Sequence, residues 1–216
     1  MCGIVGLIHD RRKELLNRMN EVQIHRGPDF GGFFWDEQAL VGFAMRRLSI
    51  VDLANGSQPM TNEDGSIVLV YNGEVYNAPD LRKELLQKGH IFTTVSSDTE
   101  VLVHLYEEYK FDMLNRMNGM FAFALYDKKE KIIFIARDQM GIKPLHYFFK
   151  NGTFAFASEM KSLLAAGLSD RKINEESLWH YLSLQCVPAP LTIYEDIFAL
   201  PCASYLIFDL DTSQIT

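Results

Sequence analysis

The sequence predicts an α+β protein in which sheets are covered by helices. Short strand-like runs dominate the chain, and many of them are neighbours in sequence. A few helical stretches separate these runs into groups. No internal repeat is evident, and no linker-like stretch interrupts the first 165 residues.

Taken in order, Gly3 to His9 reads as a strand, with small residues at Gly3 and Gly6. Arg11 to Gln23 places Leu15, Leu16, Met19 and Val22 at helical spacing. After the turn-rich HRGPDFGG, Phe33 to Trp35 and Ala39 to Met45 form a strand pair. Ile67 to Tyr71 is uninterruptedly apolar, the pattern of a strand buried on both faces. Pro79 opens a helix to Lys88, where its missing N–H has no partner to lose. Ser97 and Glu100 are spaced as a capping box for a helix through Glu108. Phe121 to Tyr126 and Ile132 to Arg137 make a further strand pair. Leu145 to Lys150 and Thr153 to Ala157 flank Asn151-Gly152, a strong two-residue hairpin signal. Helices follow near Glu159 to Ala165 and Glu175 to Leu184, then a strand from Ala203 to Phe208.

With 216 residues, the chain fits one large domain or two small ones at ~150 residues each. That length buries roughly 70% of the unfolded surface, enough for a core without covalent staples. Apolar residues at 48% and charged residues at 23% match an ordinary globular composition and exclude disorder. Lys plus Arg is 21 against 28 Asp plus Glu, a net charge of −7. Nothing basic is longer than Arg11-Arg12-Lys13, so no nucleic-acid partner is expected. The opening MCGIVGLI is too short for a membrane span and lacks the basic start of a signal peptide. Cys2, Cys186 and Cys202 cannot all pair and fit no zinc spacing, so no metal is expected. Free thiols point to a reducing, cytoplasmic compartment.

Position 2 is where chemistry could begin. If Met1 is removed, Cys2 carries a thiol and a free α-amine on one residue. The thiolate is the nucleophile, and an amine of pKa about 7.7–8 can take the thiol proton near neutral pH. The alternative is a small buried hydrophobe at the start of a strand. On position alone the packing reading stands.

The company of Cys2 changes that balance. Downstream come HRGPD from His25, RRLSIVD from Arg46, YNGEVYN from Tyr71 and SSDTEV from Ser96. GMFAFALYD from Gly119, RDQMGIKPL from Arg137 and ASEMKSLL from Ala157 follow. With MCGIVG these eight motifs resemble, in order and spacing, the glutaminase domain of class II glutamine amidotransferases. The likeness is greatest to glutamine-dependent asparagine synthetases. The resemblance implies the four-layer αββα sandwich of N-terminal-nucleophile hydrolases. It also implies acyl transfer through a thioester on Cys2, giving glutamate and ammonia from glutamine with no metal or organic cofactor.

On the same resemblance, Arg47 holds the substrate carboxylate, and a planar guanidinium suits that task. Its neighbour Arg46 reads as a surface residue of an edge strand. Glu74 and Asp98 lie near the substrate ammonium, and Asp98 also suits a helix first turn. Asn72 and Gly73 supply the oxyanion hole, although on local sequence alone they read as a type I′ turn. Arg26 and Gly27 line the substrate pocket, Gly27 permitting close backbone approach. His25 is read as a structural residue bonded to a loop, and RDQMGIKPL as a fold-building turn.

Three positions depart from the family pattern: Met45 where a His is usual, Cys202-Ala203 for Pro-Gly, and Cys186 for an aromatic residue. Met45 can fill the space but cannot hydrogen-bond, and Cys186 and Cys202 are read as inert packing residues. Residues 1–216 are read as one glutaminase domain, with about 185–216 as the run-up to a synthetase domain. ATP and Mg are expected only with that domain, since Gly31-Gly32 precedes a strand pair and lacks a helix start. The implied partners are glutamine and a synthetase domain or subunit that receives ammonia; a homodimer is possible. Three functions stay open: the glutaminase half of an asparagine-synthetase-type enzyme, the same half serving an amino-sugar or peptide-carboxylate acceptor, and a non-catalytic binding module.

Overall fold

The computed structural model describes residues 1–48 and 56–216. Its first sheet is built from β1 (Gly3–Ile8), β2 (Phe30–Asp36), β3 (Val41–Arg47), β8 (His146–Lys150), β9 (Thr153–Ala157) and β10 (Ile197–Ala199). The spatial order is β10-β8-β9-β1-β3-β2. The second sheet holds β4 (Met60–Thr61), β5 (Ile67–Val75), β6 (Gly119–Asp127), β7 (Ile132–Arg137), β11 (Tyr205–Asp209) and β12 (Gln214–Ile215). Its order is β12-β11-β7-β6-β5-β4, and every pairing in both sheets is antiparallel.

Three apolar clusters show how the layers stack. Ile4, Phe43, Val68, Ala124, Ile135 and Phe156 belong to one cluster between the two sheets. Leu69, Phe123 and Phe134 on the far face of the second sheet meet α2 (Ala78–Gln87) and α3 (Asp98–Tyr109) through Leu85 and Leu102. Val5 and Ala44 on the far face of the first sheet meet α1 (Lys13–Glu21) and α4 (Met160–Ala165) through Leu16 and Leu163. The expected αββα sandwich is therefore present. Alternation along each strand feeds two different cores, which explains why Ile67 to Tyr71 is buried throughout. Met45, the first departure from the family pattern, is fully buried in the central cluster.

Most elements lie where the sequence puts them, and the exceptions have physical reasons. Asn151 and Gly152 take φ of 53° and 79°, the two positive values a type I′ hairpin needs. Asn72-Gly73 is not a turn: β5 continues through it because β6 pairs along its whole length, Asn72 opposite Ala122 and Gly73 opposite Phe121. Ser97 precedes α3, but the expected capping box does not form. Glu100 turns back instead, accepting hydrogen bonds from the backbone N–H and hydroxyl of both Thr93 and Thr94. Arg46 is not on an edge, since β3 lies between β1 and β2; its Nε approaches the Asn20 carbonyl at the end of α1. Gly31 and Gly32 lie inside β2, far from the geometry of a phosphate-gripping helix start.

Past α4, α5 (Glu175–Leu184) leaves Trp179 and Leu182 exposed. Cys186 and Cys202 are exposed as well, so the packing role expected of them is not met. All three cysteines are free. Ala203, which replaces the family glycine, adopts φ 53°, a conformation glycine takes without strain. Among the described residues, no helix is long and apolar enough to cross a membrane.

Candidate active site

Cys2 lies immediately before β1, at the end of the sandwich where both sheets and the start of α3 converge. A pocket of about 100 Å³ opens there. Cys2 and Arg47 line it from the first sheet; Tyr71, Asn72, Gly73 and Glu74 line it from β5. Ser97, Asp98 and Thr99 close it from α3, and Lys143 from the turn after β7. Part of RRLSIVD, from position 49 to 52, lies outside the described residues.

The backbone beside the thiol is fastened by a short chain of charges. Arg26 donates from Nε to the Cys2 carbonyl at 2.9 Å and from Nη1 to Glu159 Oε1, also at 2.9 Å. Burial alone would raise the Glu159 pKa. Hydrogen bonds from Arg26, His25 and Lys161 outweigh it and hold the carboxyl at about 2. His25 bonds to the Glu159 side chain, 3.0 Å away, in the short loop between β9 and α4. Arg26 and Gly27 do not line the pocket as expected. Arg26 grips the main chain of Cys2, and Gly27 lies against the backbone of Arg46 and Arg47, where a Cβ would come within 2.5 Å. The close approach foreseen for Gly27 is real, but it is to protein. The thiol itself lies 3.9 Å from the Leu48 carbonyl.

Opposite, Asn72 is almost fully buried, and its Nδ2 has no hydrogen-bond partner among the described residues. A buried amide donor without a partner is uncommon and carries a desolvation penalty. Gly73 beside it cannot carry a side chain, because a Cβ would lie 2.3 Å from the Met120 carbonyl. Asp98 Oδ2 accepts from the Tyr71 hydroxyl at 2.9 Å and the Val75 N–H at 3.2 Å. Burial raises the Asp98 pKa despite these hydrogen bonds. Burial and the neighbouring Asp98 also push the Tyr71 phenol well above its ordinary value. Glu74 is exposed at the rim. Arg47 is buried, and the pocket lining carries the cations Arg47 and Lys143 as well as the acids Glu74 and Asp98.

Three participants were not singled out by sequence. Gln58 joins β5 to α3, accepting from the Tyr71 N–H at 2.6 Å and donating to Thr99 Oγ1 at 3.3 Å. Glu159 anchors Arg26 from 133 residues away. Lys143, buried, lines the pocket from inside RDQMGIKPL. That motif does build the turn expected of it. Asp138 accepts from the N–H groups of Phe121, Met140, Ile142 and Lys143, while Arg137 donates to the carbonyls of Gly141, Lys143 and Leu200. Lys143 inside the tight turn of RDQMGIKPL is the one local signal among these three; the partners of Gln58 and Glu159 are far away in sequence.

An asparagine synthetase (glutamine-hydrolyzing) of Bacillus subtilis is 45% identical over 200 residues, 89% of this chain and 31% of that protein. A putative asparagine synthetase of Methanocaldococcus jannaschii is 38% identical, covering 100% of this chain and 45% of its own length. The chain thus spans less than half of these curated relatives. Among solved structures, the glutamine phosphoribosylpyrophosphate amidotransferase of B. subtilis superposes with a TM-score of 0.71 at 19% identity, over 100% of this chain and 48% of that one. At that identity the likeness speaks to the fold alone. Residues 1–216 match, from end to end, the family described as the glutamine amidotransferase domain, and to that family the chain belongs.

Proposed function

We propose that the chain hydrolyses glutamine to glutamate and ammonia through a thioester on Cys2. The observation that carries this reading is the Asn72 amide nitrogen, without a partner among the described residues and buried in the same pocket as the thiol. With the Gly73 N–H it forms a pair of donors for the oxyanion that develops on the γ-amide. Arg47 takes the substrate carboxylate, while Asp98 and Glu74 take the ammonium. Arg26 and Gly27 act one step back, fixing the Cys2 backbone and the β3 main chain.

Met1 must be removed, since an acylated amine is no base; its exposed position at the pocket rim supports this. The Cys2 amine then takes the thiol proton and returns it to departing ammonia. This half-reaction needs no cofactor. The relatives' names favour aspartate as the eventual ammonia acceptor, over an amino-sugar or peptide carboxylate. Activation of that acceptor with ATP and Mg is assigned to a synthetase domain or subunit outside residues 1–216, with 185–216 as its approach. A cytoplasmic location fits three free thiols. The purified chain should release glutamate and ammonia from glutamine, with an intact mass lacking Met1. It should form no AMP with Mg-ATP, aspartate and ammonium. Cys2→Ala should abolish hydrolysis; retained hydrolysis, or full activity with Met1 uniformly present, overturns the reading.

A further inference from the structure

Farther along α3 than the turn that lines the pocket, three ligand-type atoms converge with no role in glutamine hydrolysis. His90 lies in the turn after α2, its N–H bonded to the Leu85 carbonyl. His104 and Glu107 stand one turn apart on α3. His90 Nδ1 is 3.2 Å from His104 Nδ1, His104 Nδ1 is 2.8 Å from Glu107 Oε2, and His90 Nδ1 is 3.5 Å from that same oxygen. Ligand atoms around a tetrahedral zinc ion, at bonds of 2.0–2.1 Å, are about 3.3 Å apart. The three edges straddle that value.

Proton counting points the same way. A proton on His104 Nδ1 serves its two edges but leaves the lone pairs of His90 Nδ1 and Glu107 Oε2 facing each other at 3.5 Å, and a second proton on His90 Nδ1 sets two N–H groups against each other at 3.2 Å. One cation above the triangle satisfies all three. The outer contacts are those a metal site needs: with the metal on Nδ1, each ring keeps its proton on Nε2. His90 Nε2 then donates to Glu108 Oε2, 3.4 Å away, and Asn62 Nδ2 holds the non-ligating Glu107 Oε1 at 2.8 Å. Such carboxylate–histidine contacts fix ring orientation and raise ligand basicity. Phe92 packs edge-on against His104, ring centroids 4.6 Å apart, and His104 is 2% exposed. A cavity of about 230 Å³ lined by Asn62, Thr93 and His104 lies beside the ring of His104, though His90 and Glu107 do not line it.

We infer that His90, His104 and Glu107 bind one divalent transition-metal ion of the zinc class. The ion fastens the α2–α3 connection to the helix whose first turn carries Asp98. Because it binds the folded chain, it stabilises by mass action.

The test uses the full chain, stripped with a chelator, and titrated with Co²⁺ and Zn²⁺. One Co²⁺ per chain should give the intense visible absorption of a four-coordinate nitrogen–oxygen site, without a thiolate charge-transfer band. Zn²⁺ should displace it and raise Tm by several degrees. His90→Ala and Glu107→Gln, at positions that are not fully buried, should each lose both effects while glutamine hydrolysis stays within about twofold. Binding that survives both substitutions overturns the inference. So does a charge-transfer band that vanishes in Cys2→Ala, or a wild-type Tm indifferent to Zn²⁺. These readouts do not depend on glutaminase activity, so either proposal can fail alone.

Discussion

On the β1 side of the pocket, the main chain beside the thiol is fastened through Glu159, Arg26 and the Cys2 carbonyl. On the β5 side, the Asn72 donor is buried and left over. One wall spends Arg26 Nε and Nη1 on the protein itself, leaving only Arg26 Nη2 over among the described residues; the other commits nothing through the Asn72 amide nitrogen. The difference separates two kinds of residue that a list of pocket neighbours would merge. Damage to the first wall should lower stability and activity together. Damage to the second should lower activity alone, because nothing in the resting protein is lost.

Asn72 gives the largest effect and the sharpest test. Asn72→Ala should reduce kcat by ~10²–10³ with little change in KM, the usual loss for one oxyanion donor. Asn72→Leu, branched at the same atom with the same number of heavy atoms, should keep or raise Tm in thermal melts, since it removes an unsatisfied buried group. A large loss of Tm would mean that Asn72 belongs to the structural wall. Arg26→Met should behave oppositely, destabilising by roughly 2–4 kcal/mol in urea melts because it leaves buried acceptors unmet. Its activity should fall with the folded fraction.

Arg47→Lys should raise the glutamine KM about tenfold, the worth of a lost bidentate contact, and leave kcat nearly unchanged. Asp98 makes the comparison depend on pH. Its folded pKa is raised above 3.8, so the protonated form is favoured by folding and that stabilisation is lost as pH rises through the raised value. The carboxylate needed for an ammonium appears only above that value. The kcat/KM for glutamine should therefore fall as pH drops through a point above 3.8, and Asp98→Asn should remove that acid limb. The smallest effect is remote from both walls: Ala203→Gly should stabilise by about 1 kcal/mol, by relieving a left-handed backbone at an alanine.

Much of the fold was legible because alternation and turn chemistry act locally. The Asn151-Gly152 hairpin and the Pro79 helix start follow from their own few residues. The misreadings share one cause. Asn72-Gly73 has a turn's composition but is held in a strand by nine consecutive pairings with β6. Glu100 has a capping spacing, yet two threonines upstream offer four donors against one. Arg26 and Gly27 stand in the HRGPD motif, but their partners, Glu159 and the β3 backbone, are set by tertiary packing. The His90, His104 and Glu107 triangle left a trace in the H-x-x-E spacing on α3. Cysteine arithmetic passed over it.

The two sheets end very differently at their margins. Three of the four boundary strands are stubs: β4 and β12 have two residues each and β10 has three. A stub exposes too few unpaired amides to recruit a foreign strand, which is how natural sheets resist sticking to one another. The fourth, β2, runs seven residues and carries exposed Phe30 and Phe33. Among the described residues, β2 is therefore where intermolecular strand addition would start, in a concentrated solution or during refolding. A lysine placed at Phe33 would guard that margin without touching the chemistry at the opposite sheet's β5.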